Sequence, residues 1–356
     1  MRNRKNKVPN FFSCDCSHET ELSAEDEFYF QWHITDRCNL RCTHCYHDEY
    51  SGENELSVEE LIASADKMAV ALEKWNKKGS FSLTGGEPFI RSEVLFALAR
   101  YMDSQTTTAY YDILTNGSLI TETITDELIK LQKLRRVQMS IEGPTPELND
   151  KIRGIGSFDR TMKAIRLLKS KELQVSIMTT VFRSNMTKIV ELIDVLENVG
   201  VDTFALERFI PEGAGSAMAS EALSPSEIRD VFTAVYEAGR NPRKMRVLMY
   251  RPLFAILDQD DPTIGAMCSI GTNALTVMHD GAILPCRRLP IPIGDIRNDS
   301  LFKIWYDNSL LWEIRNPLNL KGKCGSCDLV PICRGCRAVA YARTGDYLGE
   351  DPQCWL

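Results

Sequence analysis

The chain has 356 residues, 44% of them apolar, which is enough for a barrel-sized domain, a smaller one beside it and a proper core. No apolar run approaches the length of a membrane span, and the start, MRNRKNKVPNFF, is basic without a secretory apolar stretch, so a soluble, cytoplasmic protein is expected. A net charge of −7 gives no overall footprint for nucleic acid, and neither a nucleic-acid nor a membrane partner is expected.

Residues 1–27 read as an extension. From about residue 28 to 210, short strand-like runs alternate with amphipathic helical stretches. Strands are expected at residues 28–34, 80–83, 109–114, 137–141, 175–180 and 203–207. Helices are expected between them at 57–74, 93–102, 123–134, 158–168 and 187–198. In the first helix Ser57 with Glu60 forms a capping-box pattern, and Leu61, Ala65, Met68 and Leu72 recur on one face. Six such units predict a parallel α/β sheet over residues 28–220, open or closed into a partial (β/α)6 TIM barrel, with its site at the C-terminal ends of the strands. Residues 211–222 read as a loop. Ser224-Pro225-Ser226-Glu227 then opens a helix in a bridging region, 221–262, and residues 263–356 form a cysteine-rich domain.

The twelve cysteines fall in clusters, with none between Cys45 and Cys268. Secreted disulfide scaffolds are short, whereas clustering is what metals need, and thiolate-rich iron sites imply a reducing, anoxic setting. Just past the first strand comes Cys38-Asn39-Leu40-Arg41-Cys42-Thr43-His44-Cys45. Three thiolates in so short a stretch can all reach one soft-metal centre, and three leave one iron of a four-iron, four-sulfur cluster open for chemistry. A zinc site, or three scattered buried cysteines, is the alternative. This C-x3-C-x2-C resembles the signature of the radical S-adenosylmethionine enzymes. The resemblance implies that Cys38, Cys42 and Cys45 hold a 4Fe-4S cluster whose open iron is chelated by S-adenosylmethionine. One electron then cleaves the sulfonium, and a 5′-deoxyadenosyl radical abstracts a hydrogen atom from the substrate.

Downstream, Thr84-Gly85-Gly86-Glu87-Pro88 follows the second strand; alone it could be no more than a turn. It is similar to the family's GGEP motif, which implies that Gly85, Gly86 and Glu87 hold the methionyl amino group. Similar loops imply contacts with the same cofactor from His44, Asn116, Ser140, Glu142 and Arg153, the last pairing with the methionyl carboxylate; Asn185 is a weaker candidate. Local turn chemistry is the competing reading for these side chains.

In the last third, Cys268 and Cys286 flank His279-Asp280-Gly281, a hairpin turn signal that can bring them together. Then come Cys324-x2-Cys327-x5-Cys333-x2-Cys336 and Cys354, too many thiolates for one zinc ion. The array resembles the SPASM extension of radical S-adenosylmethionine enzymes, apart from two rather than three residues between Cys333 and Cys336. The resemblance implies two auxiliary iron–sulfur clusters: an outer one on Cys324, Cys327, Cys333 and Cys354, and an inner one on Cys268, Cys286 and Cys336. The inner one is a ligand short, since residues 269–285 contain no cysteine. An open iron, a non-cysteine ligand, or Cys14 or Cys16 folding back could complete it, in that order; Cys14 and Cys16 read more simply as surface thiols.

Sulfatase-maturing members carry an acidic base where this chain has Arg287-Arg288, which argues against that mechanism and favours carboxylates over cations, unless both arginines are merely solvated. Peptide or protein modification, by crosslinking or maturation, is the leading expectation. Removal of tetrapyrrole side-chain carboxylates is the alternative, and a non-catalytic iron–sulfur carrier the second alternative. Residues 1–27 are too few for a fused leader-peptide recognition domain, so a peptide substrate implies a separate carrier or a globular target. An external low-potential donor such as flavodoxin or ferredoxin is also implied.

Overall fold

The computed structural model describes residues 26–261, 263–265 and 268–356; Cys14 and Cys16 lie outside them. Six strands follow one another in a parallel sheet: β1 (Glu27–His33), β2 (Lys78–Thr84), β3 (Thr108–Leu114), β4 (Leu134–Ser140), β5 (Val175–Val181) and β6 (Thr203–Arg208). A seventh, β7 (Arg246–Leu248), pairs parallel with β6, inside the region expected to be a helical bridge. On the other side β8 (Ala274–Val277) pairs parallel with β1, and β9 (Ala282–Leu284) and β10 (Gly294–Asp295) continue antiparallel. The cysteine-rich region thus extends the same sheet, whose edges are β10 and β7, and the barrel is left open.

Helices α1 (Val58–Trp75), α2 (Ser92–Ser104), α3 (Glu122–Leu128), α4 (Pro146–Arg153), α5 (Ser157–Ser170) and α6 (Ile189–Asn198) connect the first six strands. The bridge carries α7 (Pro225–Arg240), and the last third α8 (Leu301–Asp307), α9 (Ser309–Arg315), α10 (Gly322–Gly325) and α11 (Arg337–Thr344). Both expected helix starts are closed by capping boxes, Ser57 with Glu60 and Ser224 with Glu227. The helix expected at 123–134 stops at Leu128, because Leu134 is drawn into β4 beside Tyr111. Unforeseen α4 starts on Pro146 and delivers Arg153 at its end.

Strand β1 shows how the site is positioned. Phe28, Phe30 and Trp32 are buried among the helices, Phe28 lying 4.6 Å from Trp75 and 4.9 Å from Trp305 between ring centres. Alternation sends Tyr29 and Gln31 to the other face, where they line a cavity. No helix among the described residues is long and apolar enough to cross a membrane.

Candidate active site

Alternate residues of the six strands, among them Gln31, Ser82, Asp112, Gln138, Thr180 and Glu207, line one cavity of about 430 Å³. Cys38, Cys42 and Cys45 border it, and so do Cys268, Cys286 and Cys336. Two thiol groups separated by more than 220 residues in sequence therefore face the same space.

The first group sits on a loop fastened at several points. Past β1, Ile34 donates to the Thr84 carbonyl (2.8 Å), Gly86 to Thr35 (3.0 Å) and Glu87 to Arg37 (2.8 Å). Residues 34–37 are thus zipped along the Gly-Gly-Glu turn before entering the cysteine loop. A Cβ on Gly85 would strike the Thr35 carbonyl, and one on Gly86 the carbonyls of Asp36 and Arg37. Gly86→Ala is expected to destabilise the protein by about 1–3 kcal/mol through this overpacking and to lower iron retention, read by thermal unfolding and iron content after reconstitution. Farther along, Thr43 donates to Ile152 (2.9 Å) and Gly215 to Cys45 (2.8 Å).

Glu55 and Arg91 were not singled out in the sequence, yet they hold the same segment. The Glu55 carboxylate accepts from the Thr35 hydroxyl, from the Asp36 amide at 3.1 Å and from the Arg37 guanidinium at 2.7 Å. Arg91 donates to the carbonyls of Ile34 (2.6 Å) and Leu56 (2.9 Å).

Glu87 is fully buried and does not itself line the cavity. Its carboxylate accepts from the Thr115 hydroxyl (2.7 Å) and from the amides of Asn116 (2.7 Å) and Phe89 (3.1 Å). Burial pushes this carboxyl up to about 7 against the pull of those three donors. It therefore ties the turn after β2 to the turn after β3, while Gly85, Gly86, Asn116 and Ser140 reach the cavity. The Asn116 amide donates to Asn39 (2.9 Å) and lies 3.9 Å from the Cys38 sulfur.

Arg153 and Glu142, both offered as cofactor contacts, meet each other. Arg153 donates to one Glu142 oxygen from Nε (3.0 Å) and Nη2 (2.6 Å), and His44 Nε2 stands 3.3 Å from that oxygen. The other oxygen accepts the Thr180 amide at 2.7 Å, and Asn185 donates to the Glu142 carbonyl at 2.9 Å. No hydrogen bond engages Arg153 Nη1 among the described residues, and Arg153 lines the cavity. Asn185 is fully buried and acts as a fastener of the 142 and 180 loops.

All ten described cysteines are free thiols. Burial, with Cys336 and Cys286 as neighbours, pushes Cys268 up to about 12; burial, with Asp351, Cys324 and Cys354 beside it, does the same for Cys333. The sulfurs accept from backbone amides in a recurrent way: Leu40 to Cys38, His47 to Cys45, Leu329 to Cys327 and Gly335 to Cys333, each two residues on and 3.4 Å away. Such amides stabilise thiolates bound to iron, and free, amide-facing thiols in neighbouring sets fit iron–sulfur clusters. Among the described residues no three His, Cys, Asp or Glu side chains close on a point that could hold a single metal ion.

Asp351, silent in the sequence, joins the two C-terminal sets. Its carboxylate accepts the Cys336 amide (2.8 Å), its own amide donates to the Cys324 sulfur (3.4 Å), and Arg208 at the end of β6 grips both carboxylate oxygens (3.0 and 2.8 Å). Beside Cys286, Arg288 is paired with Glu207 (3.0 Å), which also takes Arg251 (2.5 Å). Arg287 lies 4.4 Å above the Tyr46 ring and lines the cavity; among the described residues it makes no ion-pair contact, and Glu212 on the same wall is the carboxylate its charge acts on.

The radical SAM superfamily model matches residues 32–206, and the SPASM iron–sulfur cluster-binding domain matches residues 268–337. An AdoMet-dependent heme synthase of Methanosarcina barkeri is 30% identical, across 91% of this chain and 95% of that protein. A mycofactocin maturase of Mycobacterium tuberculosis is 28% identical, across 91% and 81%. Among solved structures, native anSMEcpe with bound AdoMet and a Cp18Cys peptide superposes with a TM-score of 0.72 at 20% identity, covering 92% of this chain and 94% of that one, a likeness of fold. The two domains imply S-adenosylmethionine and iron–sulfur clusters as cofactors. With the cysteine loop, Gly85-Gly86 and three of the C-terminal thiols facing one cavity, the chain belongs to the radical SAM superfamily, in the subgroup carrying the SPASM domain.

Proposed function

We propose that this radical SAM enzyme oxidises a carboxylate-bearing substrate, and that loss of carbon dioxide from a tetrapyrrole propionate is the reaction the cavity suits best. The observation that carries this is Arg287, a guanidinium on the cavity wall next to Cys286 that makes no ion-pair contact among the described residues, Glu212 being the cavity carboxylate whose field it feels. The heme synthase relative, alike over nearly its whole length, supports the same substrate class. The order of preference drawn from the sequence, with peptides first, is thereby reversed.

In this reading Cys38, Cys42 and Cys45 hold three corners of a 4Fe-4S cluster. Bound together, S-adenosylmethionine and that cluster supply a 5′-deoxyadenosyl radical able to take a hydrogen atom from a substrate. Gly85 and Gly86 present backbone to the methionyl end, with Asn116, Ser140, His44 and the open Nη1 of Arg153 around it. Glu87 acts from behind by fixing the Asn116 turn. Cys324, Cys327, Cys333 and Cys354 hold the outer auxiliary cluster, and Cys268, Cys286 and Cys336 the inner one, whose remaining position is open or taken by a non-cysteine ligand. A propionate that gave up one hydrogen atom to the 5′-deoxyadenosyl radical, one electron to an auxiliary iron–sulfur cluster, and carbon dioxide would become a vinyl group. Arg287 keeps the reacting carboxylate ionised, the form that leaves as carbon dioxide. The protein works in the cytoplasm with an external low-potential donor, such as flavodoxin or ferredoxin.

The test is anaerobic incubation of the reconstituted enzyme with S-adenosylmethionine, reductant and an iron tetrapyrrole bearing propionates, followed by mass spectrometry. Product lighter by carbon dioxide and two hydrogens, with 5′-deoxyadenosine released in step, is expected. Arg287→Ala should lower kcat/KM for that substrate about 10- to 100-fold, the loss of a charge-assisted pair worth about 1.5–3 kcal/mol.

A second reading, modification of a cysteine-containing peptide, has one observation in its favour: of the described C-terminal cysteines only Cys268, Cys286 and Cys336 face the cavity, with no fourth from that array beside them. A substrate thiolate could occupy the remaining position. A peptide product lighter by two hydrogens, and an unchanged tetrapyrrole, would decide for it.

A further inference from the structure

Gln31, Ser82, Asp112 and Arg136 stand level with one another across β1, β2, β3 and β4, each paired with the next in the sheet register. All four line the cavity. In a barrel such a layer is ordinarily packed with branched apolar side chains. A polar layer there is costly unless each group has a partner, either in the protein or in a ligand.

The partners within the protein account for only part of it. Ser82 accepts the Tyr29 hydroxyl at 2.8 Å. Asp112 is gripped by Arg135 through both oxygens, at 2.9 and 2.5 Å, and takes a third bond from Arg136 Nε at 3.0 Å. Arg135 is shared between Asp112 and the nearby Glu27, so the charges balance; what is left over is geometric, Arg136 Nη1 and Nη2 being bonded to nothing among the described residues. Glu27 is the other carboxylate in the neighbourhood; it accepts the Tyr110 hydroxyl at 2.7 Å and does not line the cavity. Two residues along β4 on the same face, Gln138 also lines the cavity, its amide meeting only the Met178 sulfur at 3.9 Å. A guanidinium offering its paired Nη edge, with a carboxamide beside it on one strand, is a fork for a carboxylate.

Arg136 lies four residues before the end of β4 at Ser140, roughly 13 Å back along the strand at about 3.3 Å per residue. Arg287 is at a different part of the wall, on the loop after β9 and against Tyr46. We propose that Arg136 with Gln138 forms a second anion subsite inside the sheet. The substrate accordingly carries at least two carboxylates, one held at Arg287 and another at Arg136. This rests on the carboxylate reading above and sharpens it: a multiply carboxylated tetrapyrrole is selected over a monocarboxylate of similar size.

The experiment measures binding rather than turnover. Metal-free coproporphyrin, whose fluorescence reports binding directly, is titrated into the reconstituted holoenzyme and into Arg136→Gln, Arg136→Lys, Gln138→Leu and Arg287→Ala, with coproporphyrin tetramethyl ester as the uncharged control. Arg136→Gln is expected to raise Kd about 10- to 100-fold for the acid and to leave the ester unaffected, with Arg136→Lys in between. Gln138→Leu, which leaves the Asp112 pairs untouched, should weaken the acid in the same direction and guards against a folding defect at Arg136. Acid binding that suffers in Arg287→Ala but is intact in both Arg136 variants and in Gln138→Leu overturns the second subsite and leaves the proposed function standing. If the wild-type enzyme binds neither acid nor ester, the tetrapyrrole reading falls, and this inference with it.

Discussion

Glu142→Ala is expected to cost about 3–5 kcal/mol of stability, because it strands a buried arginine rather than because it deletes a contact. Arg153 and Glu142 are both buried, and the carboxylate takes two bonds from the guanidinium, one from the Thr180 amide and the approach of His44. Without it Arg153 has no counter-charge, and His44, which lies inside the cysteine loop, loses the group that orients it. The Thr43 amide is bonded to the residue just before Arg153, so disorder at the end of α4 reaches the cysteines directly. Glu142→Gln retains the Thr180 acceptor and the shape of the side chain, and should fall between wild type and alanine. Thermal unfolding under anaerobic conditions orders the three proteins, and iron content after reconstitution should fall in the same order.

The same pair predicts a pH dependence. Burial alone would raise the Glu142 carboxyl, but Arg153 and then His44 hold it down at about 2, against an ordinary value of 4.5. A carboxyl depressed in the fold contributes stability that is complete above its unfolded value and is lost as pH falls through its folded one. Wild type should therefore lose stability between about pH 4.5 and 2 by a component that Glu142→Ala lacks, which comparison of the two unfolding profiles would isolate.

What the sequence discloses of this site follows from how narrowly chemistry restricts a residue. Iron ligation demands thiolates, so the cysteines stand out by type and spacing. The six strands stand out because each alternates or runs apolar for several residues, as Phe28, Phe30 and Trp32 do against Tyr29 and Gln31. Short edge strands such as β7 and β10, three and two residues long, have too little pattern to read. Helix α4 buries Asn149, Ile152 and Arg153 beneath a mostly charged sequence, so it carries no apolar stripe. The partners of polar side chains are the least legible. Arg153 and Glu142 each look like a ligand contact alone, and only the meeting of two loops reveals that they satisfy one another. Glu55 holds residues 35–37 from across a loop, and Asp351 meets Arg208 from 143 positions away. The amides that face the sulfurs could have been anticipated, since a cysteine at a tight turn commonly receives the amide two residues on.

Asp351→Ala should be as damaging as the Glu142 change, for a related reason but with a different signature. Arg208 is buried and has two partners, Asp351 and the Gln353 amide oxygen at 3.1 Å. Removing the carboxylate leaves that guanidinium with a single neutral acceptor, a loss of about 3–5 kcal/mol. It also frees the Cys336 amide and the turn that brings Cys354 to its neighbours, because the Gln353 amide rests on the same carboxylate at 3.0 Å. The fit leaves no room for a larger rearrangement: Gly335 packs so closely that a Cβ there would stand 2.7 Å from the Asp351 Cβ. Asp351→Asn keeps the shape and one acceptor and should recover part of the loss, whereas a purely local packing role predicts full recovery. The loosened elements belong to the C-terminal thiol sets and leave the cysteine loop after β1 alone. Reconstituted Asp351→Ala should therefore lose auxiliary iron preferentially and retain the spectroscopic signal of the S-adenosylmethionine-binding cluster, identified by comparison with a variant that keeps only Cys38, Cys42 and Cys45. Equal loss from both regions would show that Asp351 supports the whole sheet rather than the junction between the two C-terminal sets.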